Sequence, residues 1–75
     1  MRKKNIVGIR VQLARKKAKP LITQLDLVAR LGLHSWKIDQ PTISKIEHGR
    51  RPVSDLEVKA LAKALKVSVA WLYGE

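Results

Sequence analysis

Apolar residues recur along this chain at helical spacing, and nowhere in the strict alternation of a strand. In residues 5–18, NIVGIRVQLARKKA, Val7, Val11, Ala14 and Ala18 form a stripe that one helix face would bury. Ile9 and Leu13 are expected to widen it, and Gly8 to delay the helix start. Pro20 closes this helix, because the residue before proline avoids helical angles. Thr23 opens a second helix as its N-cap, with Asp26 completing a near capping box. Leu27, Val28 and Leu31 are its expected buried side; Gly32 could end it, or Leu33 could carry it one turn further. Residues 34–38, HSWKI, form a joint in which Trp36 and Ile38 are expected to fold inward.

Asp39 is the expected N-cap of a third helix, with Pro41 near its first position, where a missing N–H does no harm. On that helix Ile43, Ile46 and Glu47 fall on one side, and Pro41, Ser44, Lys45 and His48 on the other. Gly49 stops it, since glycine readily takes the left-handed conformation after a last turn. Ser54 and Glu57 make a full capping box for a fourth helix, with Leu56, Ala60, Leu61, Ala64 and Leu65 as its apolar stripe. Ser68 caps a last short helix in which Val69, Trp71 and Leu72 point mostly inward. The pattern predicts an all-α bundle of five helices, with no internal repeat and no low-complexity tract.

Length fixes the scale. The 75 residues make one domain, residues 1–75, and a chain of this size buries only about 60% of its unfolded surface. With no cysteine, disulfides and thiolate metal sites are excluded. No apolar run approaches the roughly 20 residues of a membrane span, and the N-terminal apolar stretch is too broken for a signal peptide. A cytoplasmic location is the expectation. The formal net charge of +10 changes the picture most. Arg2, Lys3, Lys4, Arg10, Arg15, Lys16, Lys17 and Lys19 precede the first acid of the chain, and residues 1–5 look like a basic arm. After residue 52, Lys59, Lys63 and Lys66 are balanced by Asp55, Glu57 and Glu75. A positive field confined to part of a small domain suits a polyanion, although solubility alone could account for it.

Two short helices joined by a turn, the second presenting polar residues, make a helix-turn-helix. The segments TQLDLVARLGL, QPTISKIEHGRR and SDLEVKALAKALKVSVAWL resemble the XRE family of DNA-binding domains, the type found in phage repressors and Cro. The resemblance covers roughly residues 6–73. Residues 34–38 lengthen the joint between the motif helices beyond the family's usual turn, Pro20 and Leu21 lengthen the approach to Thr23, and Val28 stands where the family favours alanine.

The resemblance implies double-stranded DNA as the partner, read in the major groove by the helix over residues 40–48. The positions matching the family's base readers are Gln40, Pro41, Ser44 and Lys45. Chemically, Gln40 can pair with adenine, Lys45 can donate to guanine, and Pro41 offers only apolar contact. Thr23 and Gln24 lie at a helix N-terminus, which attracts phosphate, and the family uses the position of Gln24 for that purpose. His48, Arg50 and Arg51 are the expected phosphate clamps on the other flank, while Lys3, Lys4, Lys16, Lys17 and Lys19 act at long range. For Gln40, Pro41, Ser44 and Lys45 the alternative is ordinary helix surface, a stronger alternative for Ser44 and Pro41 than for the other two. Glu47 faces the core, where a lone carboxylate is costly. The resemblance names Arg15 as its partner; a solvated surface glutamate is the alternative.

An enzyme is not expected. His34 and His48 have no cysteine or carboxylate cluster around them, and no nucleophile–base pair or glycine-rich phosphate loop is present. No cofactor or metal is implied. The expected role is a transcriptional regulator, most simply a repressor, acting as a homodimer on a two-fold operator, with pairing around residues 66–71 by resemblance. One rival is a DNA-binding antitoxin whose protein partner is a toxin; another is a protein-bridging module with weak nucleic-acid binding. A membrane-surface helix is the weakest reading, since no single helix pairs a wide apolar face with a basic one.

Overall fold

A computed structural model describes residues 3–75; residues 1 and 2 of the expected basic arm lie outside the described part. Five helices follow in order: α1 (Gly8–Lys17), α2 (Gln24–Leu33), α3 (Gln40–Glu47), α4 (Asp55–Leu65) and α5 (Val69–Leu72). No strand occurs among the described residues. α1 packs on α3, α4 and α5, while α2 packs on α3 and α4, so α3 is held from two sides.

The starts of the last four helices are built alike. Thr23, Asp39, Ser54 and Ser68 each cap through a side-chain oxygen that accepts the N–H three residues on. Thr23 with Asp26 and Ser54 with Glu57 close full capping boxes. Each cap is also bracketed by apolar residues one before and four after it. The pairs are Ile22 with Leu27, Ile38 with Ile43, Val53 with Val58, and Val67 with Leu72, and all eight join the one core. This is the hydrophobic staple, which fixes the angle at which the chain enters a helix.

The packing corrects three expectations. On α4 the core residue is Val58, whereas Leu56 lies on the opposite face and is 75% exposed. Val69 on α5 is likewise largely exposed, with Leu72 taking the buried position. On α1, Ile9 and Leu13 do not widen the buried stripe but point away from the core. Val7, Val11 and Arg15 face inward instead, with Ala14 and Ala18 at the margin. Leu33 carries α2 one residue past Gly32 and remains exposed. Trp36 and Ile38 do fold inward, as the joint's apolar residues predict.

Gly8 has a role that helix propensity does not reveal. A Cβ built there would stand 1.9 Å from the Ile46 carbonyl oxygen, so α1 can cross the end of α3 only without a side chain. Asn5 fastens the same crossing. Its amide donates to the carbonyls of Ile46 (3.1 Å) and Arg51 (2.8 Å), while its oxygen accepts the Gly8 N–H at 2.7 Å. The Lys4 N–H adds a bond to the Gly49 carbonyl at 2.8 Å. Propensity alone would make Gly8→Ala stabilising by about 1 kcal/mol. We expect the reverse, a loss of about 1–3 kcal/mol through overpacking, seen as a fall in Tm of roughly 4–8 °C per kcal/mol.

Candidate nucleic-acid interface

Helix α3 is anchored by a buried ion pair. The Arg15 guanidinium meets the Glu47 carboxylate in two bonds, Nε to Oε2 at 2.6 Å and a terminal nitrogen to Oε1 at 2.9 Å. The two residues are 6% and 4% exposed, so the alternative of a solvated glutamate is overturned. Arg15 also donates to the Ile22 carbonyl at 3.1 Å, and no buried side-chain polar atom among the described residues lacks a partner. A pair this deep offsets its desolvation only when its remaining hydrogen bonds are satisfied, and here they are.

The network continues to the surface. Gln24 at the start of α2 donates through Nε2 to Glu47 Oε1 at 3.1 Å, and its own Oε1 accepts from Gln40 Nε2 at 3.2 Å. A chain of polar contacts therefore runs from the core through Glu47 and Gln24 to the first residue of α3. Gln40 keeps its carbonyl oxygen and its second amide hydrogen free.

The outer face of α3 carries the other expected readers. Pro41 and Lys45 are exposed and Ser44 is half-buried, all on the side opposite Ile43 and Ile46. Asp39 caps the helix through Thr42, which bonds the carboxylate with both its N–H (3.0 Å) and its hydroxyl. The Thr42 hydroxyl, then its N–H, hold the Asp39 carboxyl below its ordinary pKa. At the far end, His48 places Nδ1 2.8 Å from the Ser44 carbonyl oxygen. The carbonyl can only accept, so Nδ1 donates, and the residue as a whole is exposed.

The flanking groups divide. Thr23 and Gln24 stand at the start of α2, beside Gln40. Asp26 caps the same end, held below its ordinary pKa by the Thr23 N–H and hydroxyl. Arg50 is exposed, and its N–H bonds the Lys45 carbonyl at 2.8 Å. Arg51 turns back: its guanidinium takes both oxygens of Glu57 at 3.0 Å, bonds the Pro52 carbonyl at 2.9 Å and sits 5.8 Å over the Trp36 ring. That pairing raises the Arg51 pKa and, through the Arg51 hydrogen bonds first, lowers that of Glu57. Reasoning from the sequence missed this brace, and it missed Asn5. The Ser54–Glu57 capping box was visible, but nothing in one dimension indicates that Glu57 also serves Arg51.

A helix-turn-helix family model matches residues 11–72, most of the chain, so this protein belongs to the XRE-type helix-turn-helix family. No curated protein and no solved structure shows significant similarity to it. The domain is thus a DNA-binding domain of the transcription-regulator type.

Replacing Glu47 with glutamine leaves the size of the side chain intact and strands the Arg15 charge. Removing one member of a buried pair costs about 3–5 kcal/mol, a large share of what a domain this small has at about 0.05–0.15 kcal/mol per residue. Thermal melts of Glu47→Gln should show a collapse in Tm; an unchanged Tm would remove the anchoring role.

Proposed function

We propose that this protein is a sequence-specific transcriptional regulator, acting as a repressor, that reads the major groove with Gln40, Pro41, Ser44 and Lys45. The observation that carries the reading is the relay from Arg15 and Glu47 through Gln24 to Gln40. It holds the Gln40 amide in one orientation, with an acceptor and a donor left for the N6 and N7 edge of adenine. A reader fixed before binding loses less side-chain entropy on contact. Lys45, exposed on the same face, supplies a donor for guanine O6 or N7, and Pro41 an apolar contact to a thymine methyl.

Phosphates flank that strip on both sides. Thr23 and Gln24 offer the amino end of α2 to one strand. On the other side Arg50 is the chief clamp, with the exposed His48 beside it. Arg51, neutralised by Glu57, reaches phosphate only by exchanging that partner and serves first to brace the loop. Two copies on a two-fold operator suit the geometry of the motif. The exposed Val69 of α5 and Tyr73 just past its end, with the nearby Lys66, support the stretch around residues 66–71 as the pairing surface.

Selection of bound duplexes from a random pool tests the whole reading, and it should return inverted half-sites about 10 bp apart, centre to centre. Gln40→Ala and Lys45→Ala should each relax one base position at a cost of about 1–3 kcal/mol; selectivity untouched by both would reassign the readers. Arg50→Ala should weaken binding uniformly across sequences and reduce the slope of log K against log salt by about 0.9. For Arg51→Ala the slope should change by less than half of that, with a lower Tm.

A further inference from the structure

The outer face of α1 carries a stripe that nothing in the fold covers. Ile6, just ahead of the helix, and Ile9 and Leu13 within it are 70%, 64% and 41% exposed. Ile9 and Leu13, four residues apart, lie on one helix face, opposite the Val7, Val11 and Arg15 side that faces the core, and Ile6, in the turn before the helix, lines one cleft with Ile9. Single exposed apolar residues need no explanation, but an aligned set of large ones on one helix face does. Beside the stripe lies a cleft of about 280 Å³ whose walls include Ile6, Ile9, Lys3 and Gly49. It is deep enough to take one apolar side chain.

Spacing and charge together select the occupant. Apolar residues one turn apart on an outer helix face, continued by an apolar residue just ahead of it, suit a partner helix laid alongside, in which flanking charges choose the partner. Here the stripe ends against Lys16 and Lys17, and Lys3 stands at its other end. No acid occurs in residues 1–25. Glu47 also borders the cleft, but its carboxylate is buried and bonded to Arg15. A second copy of the chain would bring lysines against lysines with no carboxylate between them. Duplex DNA offers the stripe nothing apolar at its phosphate surface. A bilayer would need a wider apolar face than this line of three residues.

We propose that the outer face of α1 docks an acidic amphipathic helix of another protein. Its apolar heptad positions would lie along Ile6, Ile9 and Leu13, and its carboxylates would meet Lys3, Lys16 and Lys17. This surface is separate from the outward side of α3, so the proposal stands whether or not the base readers are assigned correctly.

The probe is a synthetic three-heptad peptide with leucine at the core positions and glutamate at the flanking ones, whose own glutamates keep it monomeric. Titrated into the labelled full chain, it should shift the NMR signals of Ile6, Ile9, Leu13 and Lys16. The combined variant Ile6→Ser, Ile9→Ser, Leu13→Ser should bind it about tenfold more weakly or worse. Because none of the three is a fully buried core residue or a proposed DNA contact, its DNA affinity should match that of the unmodified protein, with the Tm lowered only modestly by serine's weaker helix propensity. The proposal is overturned if the peptide does not bind, or if the serine variant binds it equally well, which would leave charge as the whole attraction. Equal binding of a lysine-for-glutamate peptide would also overturn it. So would concentration-dependent self-association abolished in the serine variant. Stripe-dependent binding to vesicles of equal parts phosphatidylserine and phosphatidylcholine, without peptide binding, would replace the partner helix by a membrane.

Discussion

The buried pairing of Arg15 with Glu47 is the contact on which the rest of this small domain depends. An apolar core can be stable in several arrangements, because burial is not directional. An ion pair out of water tolerates very few, since a displaced partner leaves a charge with neither solvent nor counter-ion. Arg15 lies in the last turn of α1 and Glu47 at the end of α3, so the pair fixes one helix against the other in both rotation and translation. Its spare donor goes to Ile22 at the entry to α2, and its spare acceptor capacity goes to Gln24 on that helix. Three helices are thereby tied at one point. The far end of the same chain of contacts is the side chain of Gln40, which the proposed function places against a base.

The remaining constraints protect the aim of α3. At its carboxyl end the chain crosses so closely that only glycine fits at position 8, and Asn5 closes the gap with bonds to both sides. At its amino end the lengthened joint is not loose. The Trp36 N–H bonds the Leu31 carbonyl, its ring packs on the core, and Arg51 covers that ring while gripping Glu57. The additional residues of the joint therefore act as a brace between α2, α3 and the start of α4. This also redistributes the charge of the surface. Of two adjacent arginines that look equivalent in the chain, one is neutralised within the fold and the other is exposed.

Much of this was legible in one dimension, for reasons that are local. Caps and staples concern residues within five positions of one another, so Thr23, Asp39, Ser54 and Ser68 announce their helices without reference to anything distant. Glu47 could be read as needing a partner because an unpaired carboxylate on an apolar face is costly wherever the partner lies. The errors have a common cause. Periodicity places Ile9, Leu13, Leu56 and Val69 in the core because it reports that an apolar face exists, not which face meets another helix. On α4 the staple register would have chosen Val58 over Leu56; on α1, apolar residues on both faces left the choice open.

By itself, then, the sequence determined five helices, the starting points of the last four, the turn after α3 and the excess of positive charge, all of which follow from neighbours in the chain. Only the tertiary structure decided that Gly8 is a point of contact rather than a weak first turn. It alone decided that Arg51 belongs to Glu57, and that Gln24 joins the core ion pair to Gln40. These are meetings of groups between six and thirty-eight residues apart. Their partners are set by how the helices cross, and no local preference encodes that. The outer stripe of α1 belongs to the same class: its composition was plain from the start, but only the packed fold shows that it faces outward.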